Sequence, residues 1–261
     1  MTHSMETVEQ TGRTLNKVAE VTLLFWIMKI IATTLGETAG DFISMTLGLG
    51  YTTGLAITSA LLVAILAVQI RAPRFHIVVF WLAIVATTTA GTEVSDLMDR
   101  TLGLGYVGGS LVLVAGLALT LAVWYYRDGN LSVDPIVRRD AEVLFWIAVV
   151  FSNSLGTAFG DALVDVVGLS FVQGALATAG VIGVVLLLHY ATRFNRIALF
   201  WLAFIFTRPF GATFGDFLTK PLSLGGLHLG RMEASLVAVA LLGVVMSVSS
   251  RRERDRVPAA A

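Results

Sequence analysis

The sequence contains no cysteine and few charged residues. Without cysteine there are no disulfide bonds, thiolate metal sites or cysteine nucleophiles. Charged residues make up only 14% of the chain and hydrophobic residues 56%, whereas soluble domains carry about 25% charged residues. This small number of polar side chains cannot cover the surface of a water-soluble protein. The composition therefore indicates a membrane protein. The formal net charge of +0 gives no reason to expect a nucleic-acid partner.

Motifs of several common enzyme classes are also missing. The sequence has no HExxH zinc motif, no GxSxG motif and no phosphate-binding glycine loop that ends in Lys followed by Ser or Thr. The histidines are scattered along the chain, and none falls where it could complete a triad with the recurring Asp residues described below. We therefore predict that the protein is not an enzyme.

Eight apolar stretches are long enough to cross a bilayer, because a hydrocarbon core about 30 Å thick needs roughly 20 helical residues. These stretches are 20–46, 51–70, 75–99, 105–126, 141–167, 171–190, 195–219 and 230–249. Helices satisfy their own backbone hydrogen bonds in lipid, and the short alternating segments of an outer-membrane barrel are absent. The sequence thus predicts an all-α polytopic membrane protein with about eight transmembrane helices.

Basic residues are distributed unevenly between the two sides of the predicted membrane domain. The N-terminal segment, the loops after spans two, four and six, and the C-terminal segment hold most of them. The opposite loops hold only Arg100, Lys220 and Arg231. Because basic loops stay in the cytoplasm, we expect both termini there. The polar start of the chain lacks the features of a cleaved signal, so the first span should remain as an anchor.

One motif occurs four times, and each copy begins with Phe-Trp and continues to Gly-x-x-x-x-Asp. The second part reads GETAGD at 36–41, GTEVSD at 91–96, GTAFGD at 156–161 and GATFGD at 211–216. Each copy holds two spans, so successive repeats lie parallel in the membrane, and we expect them to surround an axis along the membrane normal. The Phe-Trp pairs are expected to be aromatic anchors at the inner membrane interface.

The repeats predict two four-helix halves joined by a polar linker. The predicted segments are a cytoplasmic tail (1–19), a first half (20–126, with repeats 20–74 and 75–126), a cytoplasmic linker (127–140), a second half (141–249, with repeats 141–194 and 195–249) and a cytoplasmic tail (250–261). The second half thus repeats the plan of the first.

These motifs resemble a family of bacterial membrane proteins made of four tandem repeats of unknown function. In that family each repeat has two transmembrane segments and a characteristic tryptophan. The matching tryptophans here are Trp26, Trp81, Trp146 and Trp201, and the resemblance extends over residues 20–249. The resemblance implies this topology and a bacterial cytoplasmic (inner) membrane, but it implies no established activity.

Carboxylates recur near the outer boundary of the predicted bundle. The candidate cation-binding or relay residues are Asp41, Asp96, Asp161, Asp216, Glu37 and Glu93, with the four Asp residues as candidate metal ligands. Ionisable residues within spans are functional candidates, and hard cations take oxygen ligands. Clustered carboxylates repel one another, so we expect a bound cation to offset them. The alternative is that each Asp is interfacial and caps a helix or binds a turn.

Two cations and several uncharged polar residues lie deeper in the predicted spans. Lys29 and Arg208 are costly there unless they are paired, so we expect acids on neighbouring helices as their partners. They would either tune a cation site or form static ion pairs. Other polar side chains would line a hydrophilic path or hydrogen-bond between helices. These are Thr33, Thr34, Thr88, Thr89, Asn153 and Ser154.

Together these residues predict a multi-pass transporter of a small cation, either a divalent metal such as Mn²⁺ or a proton. The alternatives are a passive cation channel, with the acids as its filter, and a membrane scaffold or partner protein without transport. A bound divalent cation is the one cofactor that these residues suggest. The expected partners are the lipid bilayer and the small cation, and assembly into a homo-oligomer stays open.

The predicted orientation can be measured with single cysteines, because the chain has none of its own. A membrane-impermeant maleimide should label Ser223→Cys, between spans seven and eight, in intact cells. It should label Thr2→Cys only after the cells are opened, because the N-terminus is expected in the cytoplasm. Labelling of Thr2→Cys in intact cells would reverse the predicted orientation.

Overall fold

The computed structural model of the protein describes residues 16–133 and 135–256. These residues contain eight helices that are long and apolar enough to cross a membrane, and no strand. The helices are α1 (Leu23–Asp41), α2 (Gly50–Arg71), α3 (Ile77–Asp96), α4 (Gly105–Asp128), α5 (Arg139–Asp165), α6 (Phe171–Ala191), α7 (Arg196–Thr219) and α8 (Arg231–Arg256). The predicted all-α architecture with eight spans is confirmed, and the chain is a multi-pass membrane protein.

The first helices of the four repeats form a closed inner ring. Helix α1 packs against α3, α3 against α5, α5 against α7, and α7 against α1. In their most apolar windows 61–67% of the residues are buried, compared with 17–28% in the second helices. The second helices therefore form an outer layer, whose large apolar side chains are available to lipid. Examples that are more than half exposed are Leu61, Leu111, Leu176 and Leu236.

Each outer helix packs against the inner helix of the following repeat. Helix α2 packs on α3, α4 on α5 and α6 on α7, and α8 returns to pack on α1. Every repeat thus covers its neighbour, and the last repeat covers the first. This cyclic order makes the four parallel repeats one closed bundle rather than two separate halves.

A glycine in each motif allows neighbouring inner helices to touch. The four contacts, each between a glycine of one repeat and a residue of the next, are Gly36 with Thr88, Gly91 with Asn153, Gly156 with Arg208 and Gly211 with Thr33. A Cβ atom on Gly36 would lie 2.1 Å from Thr88 Oγ1, closer than any real contact. Small residues at such crossings allow backbones to approach closely in membranes.

The Phe-Trp pairs form a buried aromatic layer inside the ring, at the end where the inner helices begin. Each Phe packs against the Trp of the next repeat, with ring centroids 5.5–6.4 Å apart. The pairs are Phe25 with Trp81, Phe80 with Trp146, Phe145 with Trp201 and Phe200 with Trp26. Trp81 and Trp146 are each only 1% exposed. Seven of the eight rings are buried, and Trp26 is partly buried. The expectation of interfacial anchors was wrong for the seven buried rings, because they fill the interior of the bundle.

The segment before α1 and the linker before α5 pack next to the aromatic layer. Lys17, from the predicted tail, forms an ion pair with the buried Glu142 of α5. Gln69 Nε2 of α2 donates to the same carboxylate at 3.1 Å. In the linker, the Leu131 carbonyl accepts a hydrogen bond from Trp201 Nε1 at 3.1 Å. The two segments are therefore part of the folded bundle and join its two halves.

The first two repeats share the sequence TLGLGY, at 46–51 and 101–106. Its glycines adopt a left-handed backbone conformation. Gly48 and Gly50 have φ angles of 67° and 71°, and Gly103 and Gly105 have 67° and 65°. Glycine adopts this conformation without the steric penalty of a Cβ atom. The shared sequence thus forms the tight turn between the inner and outer helix of a repeat.

The helix crossings can be tested by adding a single methyl group. Gly36→Ala should lower the free energy of unfolding by about 1–3 kcal/mol, because it overpacks the contact with Thr88. Gly180→Ala in α6 is the matched control, since nothing lies within 4 Å of a Cβ atom there. Thermal unfolding in detergent measures both variants. Equal melting temperatures for the two would contradict the crossing.

Candidate functional site

The four repeat aspartates lie inside the inner ring, at the end opposite the aromatic layer. Asp41 and Asp96 are each 2% exposed, and Asp161 and Asp216 are each 6% exposed. The charge of Asp41 acts on Asp96, and that of Asp161 acts on Asp216. The four carboxylates therefore belong to one electrostatic cluster. Their burial does not fit the alternative in which each Asp caps a helix or binds a turn at the interface.

Helices α1 and α3 change to π-helix directly after their aspartates. Asp41 and Asp96 are the last α-helical residues, and the π-helical turns Phe42–Thr46 and Leu97–Thr101 follow them. Turns of this kind are rare and occur frequently at functional sites. Helices α5 and α7 end without one, so the two halves differ at the level of the carboxylates.

Asp41 and Asp216 form one charged group with two cations. Lys220 Nζ lies 3.0 Å from Asp216 Oδ1 and 3.3 Å from Asp41 Oδ2. Arg231 Nε lies 3.3 Å from the same oxygen of Asp41. Burial lowers the pKa of Lys220, but the charges of Asp216 and Asp41 outweigh it and raise the pKa above its ordinary range. Lys220 is therefore protonated at neutral pH.

Asp96 and Asp161 form a second group around one arginine. Arg100 Nε lies 3.0 Å from Asp96 Oδ1, and Arg100 Nη2 lies 3.4 Å from Asp161 Oδ2. The guanidinium carbon lies 5.9 Å from the centre of the Tyr51 ring. The structure thus divides the predicted set of four aspartates into two ion-paired groups.

The three cations that bind the aspartates were not predicted as site residues, because Arg100, Lys220 and Arg231 were used only to predict orientation. Arg100 and Lys220 each lie four residues after a repeat Asp, and this spacing places both side chains on one helix face. That signal could have identified two of the three. Cations of the protein pair with all four aspartates, although three cations face four carboxylates. The expected bound cation stays a prediction.

Glu37 forms a buried ion pair with Arg208 at the next level of the ring. Arg208 Nη2 lies 2.8 Å from Glu37 Oε2 and donates to Thr92 Oγ1 at 2.6 Å. Arg208 is 0% exposed, and Glu37 is 4% exposed. Arg208 thus has the acidic partner on a neighbouring helix that its depth in the membrane requires.

Three carboxylates come close enough together to bind a metal ion. Glu37, Asp41 and Asp216 each offer an oxygen, and the three oxygens lie within 4.8 Å of one another. All three residues are buried. Carboxylate oxygens suit hard cations such as Mg²⁺, Ca²⁺ and Mn²⁺. The metal set that the structure supports therefore contains Glu37 and two of the four predicted aspartates.

Glu93 packs against the outer helix α2. A Cβ atom on Gly54 of α2 would lie 2.7 Å from Glu93 Oε2. Glu93 lies outside the set of three carboxylates that could bind a metal ion, although the charges of Asp41 and Glu37 act on it. Within the motif Glu37 aligns with Thr92, so Glu93 is one residue further along its helix. One residue is a rotation of roughly 100°, which directs the two carboxyl groups to different neighbours.

Lys29 has no acidic partner among the described residues. Its Nζ donates to Asn153 Oδ1 at 3.0 Å and lies 4.0 Å from the centre of the Phe204 ring. The expectation of an ion pair with a neighbouring acid was wrong for this residue. Glu37 lies about two helical turns further along α1 and is occupied by Arg208, so it cannot serve Lys29.

The predicted polar lining forms hydrogen bonds both within and between the inner helices. Thr34, Thr89 and Ser154 donate to carbonyls four residues earlier on their own helices, at 3.0–3.1 Å. Thr33 and Thr88 donate across the helix crossings to backbone carbonyls of the neighbouring helix. Asn153 Oδ1 accepts from Lys29 Nζ. The alternative of hydrogen bonds between helices therefore fits Thr33, Thr88 and Asn153.

The family match divides the chain into the same four two-helix repeats as the structure. The family described as Repeat of Unknown Function (DUF347) matches residues 24–75, 79–130, 144–195 and 199–255. The chain belongs to this family. No curated protein and no solved structure matches the chain. Each DUF347 repeat supplies one inner and one outer helix, and the carboxylates lie where the inner helices of the four DUF347 repeats meet.

The buried pair between Glu37 and Arg208 can be tested by unfolding. Arg208→Gln should cost about 3–5 kcal/mol, because it leaves Glu37 buried without a partner. The double variant Glu37→Gln with Arg208→Gln should recover much of that loss, since no charge is then left unpaired. Arg138→Gln is the control, because its pair with Asp140 is exposed to water, which screens the two charges, and should contribute little to stability. Additive losses in the double variant would contradict the pair.

Proposed function

We propose that this protein is a transporter of a small cation in the bacterial cytoplasmic membrane, with both termini in the cytoplasm. The substrate class is a divalent metal ion such as Mn²⁺, bound by Glu37, Asp41 and Asp216. The observation that carries the proposal is the set of three buried carboxylate oxygens within 4.8 Å of one another. Such a set inside a membrane bundle is costly, and costly groups there usually serve transport.

The cations of the protein supply a mechanism for binding and release. Lys220 and Arg231 contact the carboxylates that would bind the metal. A metal ion and these side chains therefore compete for the same oxygens. The side chain of Lys220 is 16% exposed and that of Arg231 is 25% exposed, so both can move towards water. Both lie at the connection between α7 and α8, which is the element that would open the site.

The aromatic layer supports a carrier rather than an open channel. The Phe and Trp rings fill the inner ring on the far side of the carboxylates, and Trp81 and Trp146 are each 1% exposed. A cation that enters among the carboxylates cannot continue along the axis in this conformation. Passage would require the inner helices to rearrange, which is the behaviour of a carrier. A proton is the alternative substrate, since it binds the same oxygens.

Substitution of the proposed ligands tests this function. Asp41→Asn and Asp216→Asn should each weaken Mn²⁺ binding by at least about tenfold, because even residues behind a metal ligand contribute about 10–100-fold. Mn²⁺ binding is measured by electron paramagnetic resonance, and uptake is measured in proteoliposomes. Asp165→Asn is the matched control, because this exposed acid at the end of α5 lies outside the set of three.

Removal of a competing cation should have the opposite effect on binding. Lys220→Met should strengthen Mn²⁺ binding, because the carboxylates lose a partner that holds the same oxygens. A purely structural ion pair would lower stability without any gain in affinity. Mn²⁺ uptake that both Asp variants leave unchanged would exclude Asp41 and Asp216 as its ligands. A wild type that takes up no Mn²⁺, with a proton flux that both variants abolish, would identify the proton as substrate instead.

A further inference from the structure

Glu93 is a buried ionisable group that the proposed metal site does not use. It is 0% exposed, and neither carboxylate oxygen has a hydrogen-bond partner among the described residues. Both oxygens face Gly54 of α2, where a Cβ atom would lie 2.7 Å and 2.9 Å from them. The glycine leaves room for the carboxyl group at this helix contact.

Packing of the inner and outer helices does not require a carboxyl group at this position. The equivalent residues of the other repeats are uncharged, namely Thr38, Ala158 and Thr213. Thr213 packs against Gly174 of α6, as Glu93 packs against Gly54 of α2. The second half thus makes the same contact with a neutral side chain, and Glu93 is a departure that the fold does not explain.

Among the described residues, no cation forms an ion pair with Glu93. On α1 the acids Glu37 and Asp41 act on it with like charge. Arg208 pairs with Glu37, and Arg231 pairs with Asp41. The other titratable groups on its own and neighbouring elements are Asp96, Arg100 and Asp99 after α3, Asp161 on α5, Tyr51 on α2 and Glu233 on α8. An ionised Glu93 would therefore be a buried charge without a partner, which is strongly unfavourable.

The nearest turn supplies no hydrogen-bond donor to Glu93. Ser44 lies in the π-helical turn after α1, and its hydroxyl donates to the Gly40 carbonyl at 3.0 Å. Neither oxygen of Glu93 receives a hydrogen bond from the described residues. A buried carboxyl without a donor is less costly neutral than ionised, because the charged form has lost its water.

We propose that Glu93 is a proton-binding site whose proton is exchanged for the cation bound by Glu37, Asp41 and Asp216. The exchange rests on the proposed function, whereas the presence of the proton does not. Entry of a divalent cation adds positive charge near Glu93 and favours its carboxylate. The O–H bond then breaks, its electron pair stays on the carboxylate, and the proton passes to water. Departure of the cation restores the like-charge repulsion, and Glu93 takes up a proton again.

Infrared spectroscopy of the protein in lipid tests the proton directly. The wild type at neutral pH should show the carbonyl band of a protonated carboxylic acid. Glu93→Gln should lose this band and keep its melting temperature, because Gln has the shape of the neutral acid. Glu93→Thr, which copies repeat four, should lose the band as well. A wild type without the band, or a band that survives in both variants, would overturn the proposal.

Addition of Mn²⁺ then tests the exchange. In the wild type, Mn²⁺ should weaken the Glu93 band and release protons, which a pH dye detects. Glu93→Gln should bind Mn²⁺ and release fewer protons. Bound Mn²⁺ with an unchanged band would overturn the exchange. If the wild type binds no Mn²⁺, the metal-transport proposal fails, while the band alone decides whether Glu93 holds a proton.

Discussion

The close approach of the four inner helices is the constraint on which the rest of the structure depends. Each helix crosses the next at a motif glycine, and a methyl group at Gly36 would already collide with Thr88. The repeat Asp follows its glycine at a constant distance, so the four crossings bring the four carboxylates to one level of the ring. Without these contacts the acids would lie on separate hairpins in lipid, where an isolated charge is very unfavourable.

Charge compensation decides what the carboxylates can do once they are together. Arg100, Lys220 and Arg231 pair with the four repeat aspartates, and Arg208 pairs with Glu37, so four cations face five carboxylates. Most of this negative charge is thus compensated within the protein. If the site binds a cation as proposed, that cation must displace one of these side chains from its carboxylate.

The repeats share a scaffold and differ in their charges. The glycines, the aspartates and the Phe-Trp pairs recur in all four copies, and they build the ring, the carboxylate level and the aromatic layer. Other buried charges occur in single copies, among them Glu37 and Lys29 in the first repeat, Glu93 in the second, Glu142 in the third and Arg208 in the fourth. Symmetry thus explains how the bundle closes, whereas the departures from symmetry define the candidate site.

Local patterns predicted much of this arrangement because they follow from local physics. Hydropathy over a span reports its affinity for lipid, so the eight helices could be predicted from the sequence. The repeated motif predicted four equivalent units with their aspartates at one depth. The helix that Glu93 packs against and the hydrogen-bond partner of Lys29 were not predictable in the same way. Both depend on helix rotation and on which neighbour packs against which face, and single-helix spacing does not contain that information.

The sequence by itself determined the class, the number of spans, the repeat and the residues that recur, since each is a property of one segment or of its copies. Only the tertiary structure decided that each outer helix covers the following repeat, that the Phe-Trp pairs lie inside, and that Arg100, Lys220 and Arg231 bind the acids. Apart from the i,i+4 pairs of Arg100 with Asp96 and of Lys220 with Asp216, these are contacts between segments far apart in the chain. The free energy of these contacts arises when the ring closes. It therefore cannot be predicted from any single segment.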